Sequence, residues 1–201
     1  MPPHRPVPPH VDQALLARAA SGELEAFGAI YERYQDAVFR FACAMTGSRD
    51  AAADITHDAF LAVLADASRF DPDRASLSTY LYGVVRNLCR ERLRRASRLR
   101  PMDAGVFDRP ADRGAPIDPV ADAELAGLVR RALAGLPSRY RELLLLCDVH
   151  DLSYADAAAI VGASVPAVRS RLHRGRQQLR ASLSARLASP LSLLRPARCA
   201  I

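Results

Sequence analysis

From about Ala96 to Ala121 the helical periodicity that runs through the rest of this chain fails. Pro101, Pro110, Pro116 and Pro119 fall there together with Gly105 and Gly114. Such a density of backbone breakers ends any continuous helix and reads as a linker. The interruption divides 201 residues into two short units, each with its own apolar stripe to bury. Strand patterning is almost absent on either side. The expected fold class is therefore all-α, two small helical domains joined by a flexible linker. The expected boundaries are a disordered tail at 1–10, a first domain at 11–95, the linker at 96–122, a second domain at 123–187 and a tail at 188–201.

In the first unit a helix is expected near Asp12 to Ala20. A longer one follows, in which Phe27, Ile30, Tyr31, Tyr34, Val38, Phe41 and Met45 recur at helical spacing and Gly47 supplies the stop. Ser48 can cap a third helix, which runs through Ile55, Ala59, Phe60 and Val63 to about Asp66. After a loop at 69–74, a fourth starts near Ser76, buries Leu77, Leu81, Val84 and Leu88, and ends in arginines. In the second unit Leu125, Leu128, Val129, Ala132 and Leu133 mark a helix broken at Gly135-Leu136-Pro137. Pro137 suits the first turn of the next helix, through Leu144 and Cys147.

The charge distribution limits the partners. All 28 basic residues are Arg, and the net charge is +6. Residues 11–75 carry eleven acids and six Arg, net −5, whereas 76–100 carry seven Arg and one Glu, net +6. Residues 165–201 carry eight Arg and no acid, net +8. Two separated basic blocks point to two contacts with a polyanion, and the acidic block to a different, basic partner. No apolar run approaches the roughly 18 residues a membrane span needs, and the Pro- and His-rich N-terminus lacks a secretory signal, so a cytoplasmic protein without membrane insertion is expected. Cys43, Cys89, Cys147 and Cys199 are too scattered for a metal site and read as free thiols. No cofactor, metal or catalytic group is expected.

The second unit carries the sharpest local signal. Ser153 with Asp156 three residues on is a variant of the capping box. The short helix it opens, through Ala159 and Ile160, ends at Gly162, which can close a helix in the left-handed conformation. Ser164 can cap the next helix at once, with Pro166 in its first turn. Val168 and Leu172 face inward; Arg169, Ser170, Arg171, Arg174 and Arg176 project outward. Two short helices, a Gly turn and an Arg-bearing second helix make a helix-turn-helix, whose second helix fits a major groove. Its arginines can bond guanine edges or phosphates.

In the first unit Asp50, Asp54 and Asp58 lie four apart and stack on one helix face, which costs a few tenths of a kcal/mol per pair. A basic partner and an ordinary solvated face both remain open as reasons. Ser78, Thr79, Tyr80 and Tyr82 precede Arg86, Asn87, Arg90, Arg94 and Arg95. Aromatics beside arginines suit a single strand, with bases on rings and phosphates on guanidinium groups. Tyr80 and Tyr82 as half-buried core residues are the other reading. Asp71 and Asp73 lack a third ligand and read as turn and capping acids.

Together these elements resemble the ECF-type (extracytoplasmic function) sigma factors of the bacterial main sigma family. The resemblance covers about 12–95 as region 2 and 125–183 as region 4. It is carried by Asp50-Ala-Ala-Ala-Asp-Ile-Thr-His-Asp-Ala-Phe60 and Thr79-Tyr-Leu-Tyr-Gly-Val-Val-Arg-Asn87. In region 4 it is carried by Leu136-Pro-Ser-Arg-Tyr-Arg-Glu142, Leu152-Ser-Tyr-Ala-Asp-Ala-Ala-Ala-Ile160 and Val168-Arg-Ser-Arg-Leu-His-Arg-Gly-Arg176. It implies a promoter-specificity subunit that binds core RNA polymerase through its β′ and β subunits. Asp50, Asp54, His57, Asp58 and Phe60 would dock on the polymerase. Asp73, Arg74, Ser78, Thr79, Tyr80, Tyr82, Arg86, Asn87 and Arg90 would hold the melted −10 element. Ser164, Val165, Arg169, Ser170, Arg171, His173, Arg174 and Arg176 would read the −35 element. The linker would thread through the core enzyme, and an anti-sigma factor would be the regulator. Tyr80 stands where the family usually has Trp, and His57 where it usually has Gln.

Two other classes fit less of the chain. A stand-alone helix-turn-helix regulator needs a dimerisation or sensor domain, which 12–95 do not resemble. A nuclease or transposase needs clustered carboxylates for two metals, and only Asp71 and Asp73 are paired.

Overall fold

The computed structural model describes residues 9–98 and 122–188. The expected linker from 99 to 121, the tails at 1–8 and 189–201, and Cys199 lie outside the described residues. Among those described there are eight α-helices, one 3-10 turn and one π turn, with no strand.

The first four helices are α1 (Pro9–Ala20), α2 (Leu24–Thr46), α3 (Arg49–Ala65) and α4 (Leu77–Arg98). Helix α1 starts at Pro9, so the last two residues of the expected tail are helical. Helix α2 forms as its spacing predicts: Ile30, Tyr34, Val38, Phe41 and Met45 are all at most 3% exposed. Burying side chains of that size contributes about 1.5–3 kcal/mol each. The helix stops at Gly47, whose φ of 72° is left-handed, and the Gly47 N–H donates to Cys43 O. Ser48 then caps α3 by accepting from the Ala51 N–H at 3.2 Å. Helix α1 is fixed to α2 by a buried cluster in which the Tyr34 hydroxyl and Arg33 guanidinium donate to Asp12 at 2.6 and 2.7 Å. Ser76 accepts from the Thr79 N–H at 3.1 Å, so it caps α4, and the helix continues to Arg98, beyond the expected linker boundary at 96.

The second unit comprises α5 (Asp122–Ala134), α6 (Ser138–Leu144), a π turn (Leu145–Val149), α7 (Tyr154–Val161) and α8 (Val165–Ala188). Pro137 occupies the cap before α6 and not its first turn; its ψ of 136° is extended. Tyr140 to Leu146 are all buried, because α6 lies between α8 and α2. Charges on the buried part of a helix need partners. Arg141 finds them in backbone: it donates to Leu133 O, Ala134 O and Leu136 O at the end of α5 and to Met45 O of α2. Met45, Leu133 and Ala134 lie in the last turns of α2 and α5, where carbonyls run short of intrahelical donors, and Leu136 lies in the turn after α5.

The two units are not separate in space. Helix α7 packs against α4, and α5 and α6 pack against α2. Buried residues from Leu16 to Leu172 form one continuous cluster.

Candidate nucleic-acid interface

Three surfaces carry the candidate residues. The first is the helix-turn-helix. Ser153 Oγ accepts from the Asp156 N–H at 3.1 Å and donates to its carboxylate at 2.5 Å, which fixes the start of α7. Gly162 closes that helix with φ 67°. Ser164 caps α8 through the Ala167 N–H at 3.4 Å. Val168 and Leu172 are 0% and 1% exposed, so the helix is anchored against α6 and its opposite face is set. On that face Arg169, Ser170, His173 and Arg174 are exposed, with Val165 and Arg171 half-buried. Arg169 lies over the Tyr154 ring at 6.0 Å, and His173 and Gln177 share a hydrogen bond at 3.1 Å.

Arg176 departs from the expected arrangement. It makes a two-pronged pair with Asp148 of the π turn, at 3.0 and 2.6 Å, and reaches the Tyr154 hydroxyl at 3.5 Å. These bonds hold its pKa above the usual guanidinium value. The fork matches a carboxylate, so here Arg176 braces α8 against the π turn and α7.

The second surface is α4 with the loop before it. Asp71 accepts from the Asp73 N–H at 3.0 Å, the turn role expected of it. Asp73, Arg74, Asn87 and Arg90 are exposed, and Ser78 is half-buried. Tyr80 is half-buried with its ring 5.8 Å from that of Phe70. Along the distal half of the helix Asn87, Arg90, Arg94, Arg95 and Arg98 line a polar groove with Glu91. Thr79, Tyr82 and Arg86, however, are only 5%, 4% and 6% exposed. The two readings open for the tyrosines divide between them: Tyr82 is core, and Tyr80 keeps an open edge.

The third surface is α3. Asp50, Asp54, His57 and Asp58 are all exposed along one face, as the spacing predicts. Asp54 lies 3.4 Å from Arg92 of α4, an exposed pair of small energetic weight. Phe60 is not on this face. It is 3% exposed and packs its ring against Tyr31 at 4.9 Å and Phe27 at 6.5 Å, so it supports α3 from within.

Glu142, His150 and Asp156 were not among the expected site residues, yet they cover α4. Arg86 donates to Glu142 at 2.8 and 3.4 Å and to Ile160 O at 3.1 Å. Tyr82 and His150 are bonded at 2.8 Å, and Thr79 donates to Asp156 at 3.3 Å. Burial, and then Arg40, push the His150 imidazole down to about 4, so it is neutral at ordinary pH. The one sequence signal for this was a charged pair, Arg141-Glu142, set directly against the apolar run Leu143 to Cys147.

Among the described residues the thiols are not set up for chemistry. Burial pushes Cys89 up to about 12, and burial with Asp148 pushes Cys147 up to about 11. Thiolates would be needed for reactivity. Among the described residues no helix is long and apolar enough to cross a membrane.

Comparison with known proteins agrees with the two-part layout. The family model for Sigma-70 region 2 matches residues 30–99, and that for Sigma-70, region 4 matches residues 126–179. The ECF RNA polymerase sigma factor SigM of Mycobacterium tuberculosis is 33% identical over 175 residues, 84% of this chain and 82% of that protein. SigE of Mycolicibacterium smegmatis is 33% identical over 156 residues, 75% of this chain, which spans only 59% of that longer relative. The structure of CnrH in complex with the cytosolic domain of CnrY is similar with a TM-score of 0.65 and 32% identity, covering 87% of this chain and 98% of that one. Two helical units in the region 2 then region 4 order, a capped helix-turn-helix and this degree of identity have one reading: the chain belongs to the ECF-type sigma factors of the sigma-70 family.

Proposed function

We propose that this chain brings core RNA polymerase to particular promoters and opens them, with residues 11–95 acting as region 2 and 123–187 as region 4. The observation that carries the reading is α8. A serine-capped helix, anchored by Val168 and Leu172, presents Arg169, Ser170, His173 and Arg174 on one open face. That face has the shape and charge to enter the major groove of a −35 element. Arg171, half-buried, reaches the groove from the edge of the same face; Arg176 works from behind it, by bracing the helix.

The acidic face of α3, Asp50, Asp54 and Asp58 with His57, docks on a basic surface of the polymerase. Tyr80, Asn87 and Arg90 receive the unpaired strand of the −10 element, with the tyrosine as a stacking platform and the arginine on phosphate. The chain supplies no catalytic group; phosphodiester chemistry belongs to the polymerase in the cytoplasm. A partner of the anti-sigma type regulates it; the similar CnrH is itself seen in complex with the cytosolic domain of CnrY.

The test is run-off transcription by core polymerase on a library of promoter fragments, with and without this chain. Transcripts that appear only with the chain, and disappear when Arg169 and Arg174 are both changed to Ala, support the reading. Transcription indifferent to the chain across the library refutes it.

A further inference from the structure

Two arginines of α8 meet one aromatic side chain. Arg169 and Arg176 stand seven positions apart in the sequence, close to two turns of helix, and so share one side of α8. Tyr154, the first residue of α7, stands against that side. The Arg169 guanidinium carbon lies over the Tyr154 ring, 6.0 Å from its centre. Arg176 reaches the rim of the same side chain instead. It donates to the hydroxyl at 3.5 Å while its fork grips Asp148 at 3.0 and 2.6 Å. Asp148 thus keeps Arg176 at the hydroxyl end, and the ring face is left to Arg169. The ring is a firm seat. Tyr154 is half-buried and packs on the hydrophobic core, and the residue before it, Ser153, caps α7 through the Asp156 N–H at 3.1 Å. Arg169 itself is exposed on the open face of α8, beside Ser170 and one turn before His173. An arginine laid on a ring keeps its fork in one plane and has less rotamer freedom to lose when it binds. A two-bond contact to a guanine edge depends on that plane.

From this we propose that Tyr154 is a specificity-determining positioning residue, whose ring seats Arg169 for a base edge of the duplex that α8 reads. Tyr154 need touch no base; it acts through Arg169. Asp148 serves the same end by holding Arg176 away from the ring face. This role for Tyr154 rests on α8 being the helix that enters the −35 groove.

The test uses holoenzyme reconstituted from core polymerase and the full chain. Its probe is a promoter fragment on which the chain drives run-off transcription, with each base pair of the upstream element randomised in turn. Bound and free fragments are sequenced at several salt concentrations, which gives the base preference at each position. Arg169→Ala should flatten the preference at one base pair. Tyr154→Leu should lower the preference at that same base pair by about two- to fivefold, the range of an exposed cation–π contact. The other positions and the salt dependence should stay at wild type. Tyr154→Phe keeps the ring and should keep the wild-type preference. Adding Tyr154→Leu to Arg169→Ala should cost nothing more. Tyr154→Gln also removes the ring and serves if Tyr154→Leu does not fold. Wild-type preference in a folded chain without the ring overturns the proposal. So does an equal loss at every position, which marks a merely structural role, or a loss that adds to that of Arg169→Ala. If Arg169→Ala weakens all fragments alike, Arg169 sits on phosphate, and the seat falls while α8 still binds DNA. If Arg169→Ala flattens one position and Tyr154→Leu does not, again only the seat falls. If Arg169→Ala with Arg174→Ala leaves binding to every fragment unchanged, the reading of α8 falls with it.

Discussion

Gly83 and Gly175 both sit in helix interiors, and the structure gives their replacement by Ala opposite signs. An alanine in a helix is favoured over glycine by about 0.8–1.0 kcal/mol through lower chain entropy cost. At Gly83 in α4 nothing lies within 4 Å of an added Cβ, so the gain is available in full. At Gly175 in α8 the new atom would stand 3.2 Å from Tyr140 Cβ and 3.3 Å from Leu144 Cδ1. Tyr140 Cβ is fixed to the α6 backbone, and Leu144 is 1% exposed, so neither has room to move. Overpacking of this kind costs about 1–3 kcal/mol. Set against the propensity gain, Gly175→Ala should lose about 0–2 kcal/mol. In a chain of this size each kcal/mol shifts Tm by about 2–4 °C. Scanning calorimetry should therefore show Gly83→Ala melting about 2–4 °C above wild type and Gly175→Ala at or below it. A Gly175→Ala chain as stabilised as Gly83→Ala would refute the close approach of α6 and α8, and with it the account of how the reading helix is seated.

Two further outcomes are expected. Asp54→Arg with Asp58→Arg should weaken capture of core polymerase by at least about tenfold, by placing like charges against a basic surface, with the circular dichroism spectrum unchanged; wild-type capture would end the docking assignment. His150 has its pKa lowered, by burial and Arg40 against the smaller opposing effect of Asp151, so its neutral form stabilises the fold fully above about 6.5. That contribution should be lost as pH falls through about 4. His150→Phe should flatten the fall in Tm between those values relative to wild type, and parallel curves would show that the imidazole does not titrate with the fold.

The sequence by itself determined the helices, because their determinants are local. The spacing from Ile30 to Met45, the left-handed stops at Gly47 and Gly162 and the caps at Ser48, Ser153 and Ser164 all act within one or two turns. It also determined the acidic face of α3 and the open face of α8, since helical geometry alone places residues four apart on one side. What only tertiary structure decided was where long polar side chains end. Arg176 and Arg174 are indistinguishable as letters near the middle of a helix, but Asp148 arrives beside one of them through the π turn. Phe60 follows the acidic stripe in the sequence and yet turns inward, because Phe27 and Tyr31 of α2 offer it a ring-lined pocket. Arg86 has the spacing of a phosphate contact and is buried against Glu142, 56 positions away. Pairing across such distances depends on how the units pack, and the pattern within one helix carries no information about it.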